Sequence, residues 1–434
     1  MNKKKKKFIL ILLLSAIIGI GVGIIVSLFH ITIDILFQHK DTVLQAYWPW
    51  ENCLWLAYMI SSALMVFLSV FLVKHFSPEA SGSGIQEIEG VVGNKRSMNH
   101  FRVIIVKFIG GILSLGSGMA MGREGPSVQI GGAFGQMISR LIKLNKDDIN
   151  ILIAAGAGAG MAATFNAPLA GILFVFEEMK EEINYAYLPV KSVITASVMS
   201  IIALRLMIGD HISIPIDNLQ TPQISELWIF FIYGIFFGIL GFIFNKFLVL
   251  FTTKMTKIAS WKHSIITISI GSLIGLLLYF YPYSVSEGYN AISIALHNNL
   301  SITTLITLFI IRFFTTMLSY ATGAPGGIFA PMLALGTLFG VSFGIFANEI
   351  LPSLHIQPLL FAVVGMSALF SATVRAPITG IVLVAEMTGS FHLLMPLLIT
   401  SLFAVITANA LGGRAIYTIL LENTLKISKF GTKS

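Results

Sequence analysis

Two charged residues lie inside a glycine-rich stretch, Gly122-Arg123-Glu124-Gly125-Pro126, of a chain that is 56% hydrophobic and 11% charged. A carboxylate at membrane depth is costly, and so is a broken helix, so both are found where they line a polar path. Glycines let the backbone turn and expose N–H groups, which bind anions at the start of a helix. The stretch therefore predicts an anion site that contains a titratable carboxylate, Glu124.

Two further glycine-rich turns, residues 82–87 and 323–331, precede positions where helices can start. Three helix N-termini aimed at one point would hold an anion by N–H groups and dipoles, without a full positive charge that would slow its passage. The alternative is that the glycines serve close helix packing. The Ser, Glu and Phe residues at the tips of the three turns favour the anion site.

The composition predicts a polytopic helical membrane protein that lies in a lipid bilayer. The chain has 434 residues, a mean hydropathy of +0.86 and apolar runs of roughly 18 to 25 residues, long enough to span a bilayer. Its one cysteine, Cys53, excludes an internal disulfide and a cysteine-based metal site, and the nine histidines show no metal spacing. No metal, cofactor or nucleic-acid partner is expected, since the net charge of +8 resides in loops and tails.

Basic residues predict the orientation of both termini. Five lysines precede the apolar run Phe8 to Phe29, which places the N-terminus in the cytoplasm and is too long for a signal peptide. The basic tail, with Lys426, Lys429 and Lys433, places the C-terminus there too. We expect no soluble regulatory domain after the last apolar segment. Lysine- and isoleucine-rich usage suggests a bacterial inner membrane.

Several apolar segments are too short or too rich in Gly and Pro for simple spans, which predicts tilted, broken or re-entrant helices. The segments lie near 8–29, 54–73, 103–121, 150–176, 187–208, 227–252, 264–281, 302–320, 331–350, 358–374, 376–388 and 393–411.

An internal repeat relates the two halves of the chain, roughly 75–205 and 265–420, within one expected domain spanning 1–434. Residues 122–126, with the glycines at 131 and 135, align with residues 327–331 and the glycines at 336 and 340. Farther on, Ala167-Pro168 and Glu177 align with Ala376-Pro377 and Glu386. Two similar halves suggest a transporter with its site at the repeat interface.

The chain resembles the CLC family of chloride channels and proton-coupled chloride transporters from Pro78 to Tyr417. The matching motifs are Gly82-Ser-Gly-Ile, Gly122-Arg-Glu-Gly-Pro, Asn166-Ala-Pro-Leu-Ala-Gly, Gly327-Ile-Phe-Ala-Pro and the late Tyr417. The resemblance implies a two-repeat CLC-type fold with broken and re-entrant helices, and a homodimer with one pathway per subunit. One departure is Gln86, where the family usually has Pro; we expect altered helix entry but not lost binding.

The resemblance also implies roles for single residues. The hydroxyls of Ser83 and Tyr417, with the backbone N–H groups of Ile328 and Phe329, resemble the ligands of the central chloride. Glu124 resembles the external gating glutamate, whose carboxylate competes with chloride. The N–H groups of the residues beside it, Arg123 and Gly125, would form an external anion site.

Glu178 resembles the internal proton-transfer glutamate of the exchangers. The alternative is that its acidic cluster, with Glu177, Glu181 and Glu182, is a hydrated helix end. Glu177 aligns with Glu386 in the repeat, which suggests a scaffold role, whereas Glu178 aligns with the non-acidic Met387.

Alternatives remain for the other residues. Ser83 could cap a helix, and Tyr417 could lie at the membrane interface. Lys107, Arg312 and Arg375 could raise the potential near the anion path or form structural ion pairs, for example with Glu386. We interpret the glycines at 156, 158 and 160, and those at 19, 21 and 23, as packing faces.

The presence of both Glu124 and Glu178 favours antiport of chloride against protons; the alternative is a passive voltage- or pH-gated chloride channel. The chloride-type residues Ser83 and Tyr417 disfavour the fluoride and nitrate branches of the family. An intramembrane enzyme that uses the two glutamates, and a non-conducting receptor, belong to other classes. No H-E-x-x-H, G-x-S-x-G or Walker A motif supports an enzyme, and a liposome flux assay separates these classes.

Overall fold

The protein is helical throughout the part that the computed structural model describes, residues 3–48, 51–179, 187–210, 212–216, 219–352 and 356–431. In these ranges the only extended pairing is an isolated antiparallel bridge between Gly122 and Gly327. Nine of the described helices are long and apolar enough to cross a membrane. The expected all-α membrane architecture is confirmed.

The first eight α-helices precede the long connection around residue 215. They are α1 (Lys3–Tyr47), α2 (Leu54–Phe76), α3 (Ile85–Val92), α4 (His100–Gly116), α5 (Glu124–Leu141), α6 (Lys146–Phe165), α7 (Pro168–Glu178) and α8 (Tyr187–Ile208).

The remaining nine α-helices follow that connection. They are α9 (Trp228–Thr256), α10 (Ser260–Phe280), α11 (Tyr289–His297), α12 (Ile302–Ala321), α13 (Phe329–Ile350), α14 (Pro358–Val374), α15 (Pro377–Thr388), α16 (Leu394–Ala410) and α17 (Ile416–Gly431).

Helix α1 is longer than its apolar run 8–29 suggested. Its 45 residues extend over about 68 Å at 1.5 Å per residue, roughly twice the ~30 Å thickness of a hydrocarbon core. The helix must therefore tilt strongly or project beyond the core. At its start, Lys7 pairs with Asp148 in the first turn of α6 at 2.9 Å.

Two pairs of helices are separated by a short break, one between the predicted segments 358–374 and 376–388 and the other inside the predicted segment 150–176. Asn166 between α6 and α7 has φ of 52°, and Arg375 between α14 and α15 has φ of 71°. In each case an alanine follows and then a proline, Pro168 or Pro377, begins the next helix. Proline suits the first helical position because the N–H that it lacks has no partner there.

Glycines bring pairs of helices into backbone contact. A Cβ atom added at Gly131 of α5 would collide with the carbonyl of Gly156 in α6, and one at Gly156 with the carbonyl of Gly131. The aligned positions Gly336 and Gly365 of α13 and α14 face each other in the same way. Side chains or backbone also block Gly158, Gly160, Gly19, Gly21 and Gly23. The interpretation of these glycines as packing faces is confirmed.

Candidate functional site

The three glycine-rich turns meet at the centre of the protein. The N–H of Gly82 donates to the carbonyl of Gly323 at 3.3 Å, and the N–H of Gly326 donates to the carbonyl of Gly82 at 3.0 Å. Gly122 and Gly327 donate to each other's carbonyls at 2.9 and 2.7 Å. Helices α3, α5 and α13 therefore begin around one point, as the sequence predicted.

The Glu124 carboxylate lies between two of these helix starts. The side chain is fully buried, and its Oε1 accepts a hydrogen bond from the N–H of Phe329 at 2.6 Å. Its Oε2 has no hydrogen-bond partner among the described residues. A Cβ atom at Gly122 or at Gly327 would collide with this carboxylate. The two glycines thus make the space that the carboxylate occupies.

Two fully buried hydroxyls lie close to the same point. Neither Ser83 Oγ nor Tyr417 Oη makes a hydrogen bond of normal geometry among the residues described. The two hydroxyls nevertheless lie close enough to interact with each other, and Tyr417 also lies near Glu124. The ring of Tyr417 packs against that of Phe329, with the centroids 5.9 Å apart. A Cβ atom at Gly125 would lie 2.5 Å from Ser83 Oγ. Because an unpaired buried polar group is costly, these hydroxyls are suited to a bound ligand.

The alternative roles of Ser83 as a helix cap and of Tyr417 as a residue at the membrane interface are wrong. The N-cap residue of α3 is Gly84, with φ of 86°, and no side chain caps this helix. Burial of Tyr417 excludes a place at the membrane interface.

Ile328 is the N-cap residue of α13, directly before Phe329. Gln86 lies in the first turn of α3 and is buried, so the helix begins here without the proline.

This arrangement can hold an anion. Helix N-termini carry partial positive charge and unpaired N–H donors, and two hydroxyls add donors without adding charge. The N–H of Phe329, a predicted anion ligand, donates to the Glu124 carboxylate instead. A carboxylate and an anion would therefore compete for the same donor.

Glu177 and Glu386 cap helices of opposite halves of the chain. The carboxylate of Glu177, near the end of α7, accepts from the N–H groups of Ile378 and Thr379 at the start of α15, at 3.1 and 2.6 Å. Glu386, near the end of α15, accepts from Leu169 and Ala170 at the start of α7, at 3.1 and 2.8 Å.

Glu178 lies on another side of α7 from Glu177, since neighbouring residues of a helix point about 100° apart. Its side chain is half-buried and within electrostatic range of the Tyr417 hydroxyl. Glu181 and Glu182 lie outside the described residues. Because Glu177 caps α15, the acidic cluster is not simply a hydrated helix end.

The suggested ion pairs of the buried cations with Glu386 are wrong, since backbone N–H groups occupy that carboxylate. Lys107 instead donates to the carbonyls of Ala80 and Gly82, at 3.0 and 2.6 Å. Arg312 donates to three carbonyls in residues 283–286, and Arg375 to the carbonyl of Ala372. These side chains bind backbone carbonyls, which are abundant where helices end.

Sequence reasoning missed an ion-pair cluster beside Glu124. The Arg123 guanidinium is bound by Glu287, from the turn before α11, and by Asp34 of α1. No local pattern joins these residues, which come from three distant parts of the chain. In the described part of the chain, no group of three His, Cys, Asp or Glu residues is placed to hold a metal.

Comparison with known proteins places these features in a family. The family described as voltage gated chloride channel matches residues 63–409. The chain is 46% identical over 420 residues to the H(+)/Cl(-) exchange transporter ClcA of Vibrio parahaemolyticus, covering 96% of this chain and 90% of that protein. It is 42% identical over 419 residues to the ClcA transporter of Salmonella typhi, covering 95% and 88%.

Solved structures give the same result. The crystal structure of a slow cyanobacterial Cl−/H+ antiporter has a TM-score of 0.92 and 38% identity, covering 96% of this chain and 98% of that one. A CLC-type fluoride/proton antiporter has a TM-score of 0.78 at 18% identity, covering 96% and 98%. The latter likeness shows the shared fold alone.

Proposed function

Because this chain belongs to the CLC family of voltage gated chloride channels, we propose that it carries out secondary active antiport of chloride against protons across a membrane. The observation that carries the proposal is the Glu124 carboxylate on the N–H of Phe329, beside the buried hydroxyls of Ser83 and Tyr417. Because the Glu124 carboxylate binds either a proton or the N–H group that would otherwise bind the anion, it couples the proton flux to the chloride flux.

In the proposed cycle, Glu124 acts as the external gate and proton acceptor. The ionised carboxylate holds the N–H of Phe329, and it gives up much of this charge-assisted bond when it takes a proton. Chloride can then accept from the N–H groups of Ile328 and Phe329 and from the hydroxyls of Ser83 and Tyr417. Chloride in this site in turn keeps the neutral side chain away, so proton and anion movements alternate.

A second anion position adjoins the gate. Arg123 and Gly125 flank Glu124 at the start of α5, where N–H groups face outward from the helix terminus. We assign the external anion site to these two N–H groups.

On the inner side, Glu178 is the proposed proton acceptor. It lies at the end of α7 within electrostatic range of Tyr417, whereas Glu177 is engaged at the start of α15. A proton would pass between Glu178 and Glu124 while chloride follows its own route.

The chain is proposed to form one membrane domain of two halves, roughly 75–205 and 265–420, that assembles as a homodimer in a bacterial inner membrane. The reciprocal hydrogen bonds between Gly122 and Gly327, and the reciprocal caps of Glu177 and Glu386, support the division.

Both termini are proposed to be cytoplasmic. Lys7 pairs with Asp148 at the start of α6, and Asn150 in the next turn donates to the carbonyl of Val92 at the end of α3. Helix α17 packs against α3. The start of α1 and helix α17 therefore share one face, whose basic residues fit the positive-inside rule.

A chloride gradient imposed on liposomes that contain the purified protein tests the function. Chloride leaving down its gradient should drive protons in the opposite direction, even against a proton gradient, as a change in external pH. A chloride flux with a flat pH trace under every gradient would replace the antiporter by a passive channel.

The matched variant is Glu124→Gln, which cannot ionise. We expect chloride flux to survive and proton flux to disappear. Proton pumping in this variant would refute the role of Glu124 while leaving antiport itself in place.

A further inference from the structure

A cavity of about 470 Å3 lies on the side of Arg123 that faces α1. Its polar lining includes Asp34, Arg123, Thr164, Ser213, Glu287 and Tyr289, and apolar side chains of α1 and α4 also line it. Under the orientation proposed above, α1 starts in the cytoplasm and this cavity lies toward its outer half. The cavity therefore borders the external approach to Glu124.

Arg123 forms one wall of this cavity, and its guanidinium is bound through Nε and Nη2. Its Nε lies 2.9 Å from both carboxylate oxygens of Glu287, and its Nη2 lies 2.8 Å from Glu287 Oε2 and 2.9 Å from Asp34 Oδ1. The side chain of Glu287 is 11% exposed, whereas that of Asp34 is 52% exposed. The geometry turns the positive charge of Arg123 toward two carboxylates.

The turn that carries Glu287 is held in place. Arg312, fully buried in α12, donates to the carbonyls of Tyr283, Val285 and Ser286 at 3.0, 2.6 and 3.0 Å. The N–H of Ser286 donates to the carbonyl of Gly118 at 2.8 Å. Glu287 is thus aimed at Arg123 by a fixed turn and is not a mobile surface residue.

Charged and titratable groups from several elements surround Glu287. Asp34 of α1, Arg123 and Glu124 at the start of α5 and Tyr289 of α11 interact with it. His30 of α1 faces Arg123, and Arg312 of α12 binds the turn that carries Glu287. The two carboxylates outnumber the one guanidinium that they bind, so the cluster carries one net negative charge beside the anion path. Negative charge on this path opposes chloride entry.

We propose that Glu287 and Asp34 control the charge at the outer chloride entrance, because together they outweigh the charge of Arg123 until Glu287 binds a proton. This inference rests on the proposed function of Glu124 and its anion sites. Glu287 and Asp34 are positioning residues for Arg123 and do not touch chloride. Proton uptake by Glu287 leaves the Arg123 charge opposed by Asp34 alone and makes the entrance more favourable for an anion.

The direction of the effect follows from the environment of Glu287. Burial raises the pKa of this carboxyl, and the Arg123 guanidinium beside it offsets only part of that increase. Glu287 therefore takes up a proton at a higher pH than an exposed glutamate. Acid outside should strengthen chloride binding through this cluster, in addition to any effect of acid on Glu124.

Calorimetric titration of purified protein with chloride at pH 7.5 and pH 5.5 tests the inference in the Glu124→Gln background, where the gate itself cannot titrate. We expect acid to strengthen chloride binding by several-fold, up to about tenfold for one unit charge screened within the protein. The double variant Glu124→Gln with Glu287→Gln should bind tightly at both pH values. Equal affinities of the two proteins at pH 7.5, or equal pH dependence, would overturn the proposal.

Two further variants make the result specific. Asp34→Asn removes the half-exposed carboxylate from Arg123, and it should strengthen chloride binding as Glu287→Gln does, but by less. This variant tests the proposal if Glu287→Gln does not fold. Asp210→Asn removes the same charge from the exposed Arg205 pair, which does not contact Arg123, and should leave the pH dependence unchanged.

These outcomes are separable from failure of the proposed function. Absence of chloride binding in Glu124→Gln at either pH would refute the anion site and the inference together. Chloride binding with no contribution from Glu287 or Asp34 would refute the inference alone.

Discussion

In the proposed central site, two hydroxyl groups are the only side-chain donors, since the remaining proposed donors are backbone N–H groups that substitutions other than proline leave in place. We predict that Ser83→Ala and Tyr417→Phe each weaken chloride binding by about tenfold or more, because a hydrogen bond to a charged group contributes about 1.5–3 kcal/mol. Calorimetric titration with chloride measures the change.

The control for the hydroxyls is Ser401→Ala. Ser401 is equally buried, but its hydroxyl is bonded to that of Ser367 at 2.8 Å, so its loss should leave chloride affinity unchanged. Wild-type affinity in both Ser83→Ala and Tyr417→Phe would give these residues a structural role only.

Glu178 lies at the end of α7 and is not one of the proposed chloride ligands, so its role in proton transfer can be tested separately from chloride transport. We predict that Glu178→Gln abolishes proton flux in liposomes and leaves chloride flux largely intact, because the variant keeps every proposed chloride ligand. Glu178→Asp, which keeps a carboxylate, should retain part of the proton flux. Full coupling in Glu178→Gln would mean that protons enter by another path.

At the scale of elements, the sequence predicted the helices that have strong apolar periods or marked starts. It separated the segments on either side of the break before Pro377, but it gave 150–176 as one segment and so did not locate the break before Pro168. It indicated where α3 starts, at the turn 82–87, but not that this helix ends after eight residues. It did not predict the nine-residue helix α11. It also understated α1, since the polar residues beyond Phe29 give no sign that the helix continues to Tyr47.

Helices α7 and α15 run antiparallel, and a carboxylate near the C-terminus of each helix caps the N-terminus of the other. We predict that Glu177→Gln and Glu386→Gln lower the free energy of unfolding by similar amounts, about 1–3 kcal/mol, because each variant loses a charged acceptor at a helix start. Thermal unfolding of the purified variants measures this loss.

Thr379 provides a graded control for this pair of caps. Its hydroxyl adds a third bond to Glu177 at 2.7 Å, and the equivalent position on α7 is Ala170. Thr379→Ala makes the two ends alike and should destabilise less than either glutamate variant. A stable Glu177→Gln beside an unstable Glu386→Gln would show that the two caps are not equivalent.

At the scale of the whole molecule, most residues of the proposed anion site could be predicted from sequence because they lie in short motifs with glycine or proline nearby, whereas Tyr417 was predicted only through the family resemblance. The cluster of Asp34, Arg123 and Glu287 could not, since its members come from separate elements that only the folded chain brings together. The reciprocal caps of Glu177 and Glu386 lie between these cases: the repeat paired the residues, but only the structure shows that each caps the other's helix.

The orientation of the molecule can be tested with its one cysteine. Cys53 follows α1 at the end far from the lysine-rich start, and it is partly exposed. If that start is cytoplasmic, a membrane-impermeant maleimide should label Cys53 in intact bacterial spheroplasts. In a Cys53→Ser background, Lys426→Cys on α17 should react only after the membrane is permeabilised, because α17 packs on the face that carries the start of α1. The opposite result would be labelling of Lys426→Cys in intact spheroplasts together with no labelling of Cys53 in the wild-type protein. It would mean that the molecule has the inverted orientation, with the cavity beside Arg123 on the cytoplasmic side.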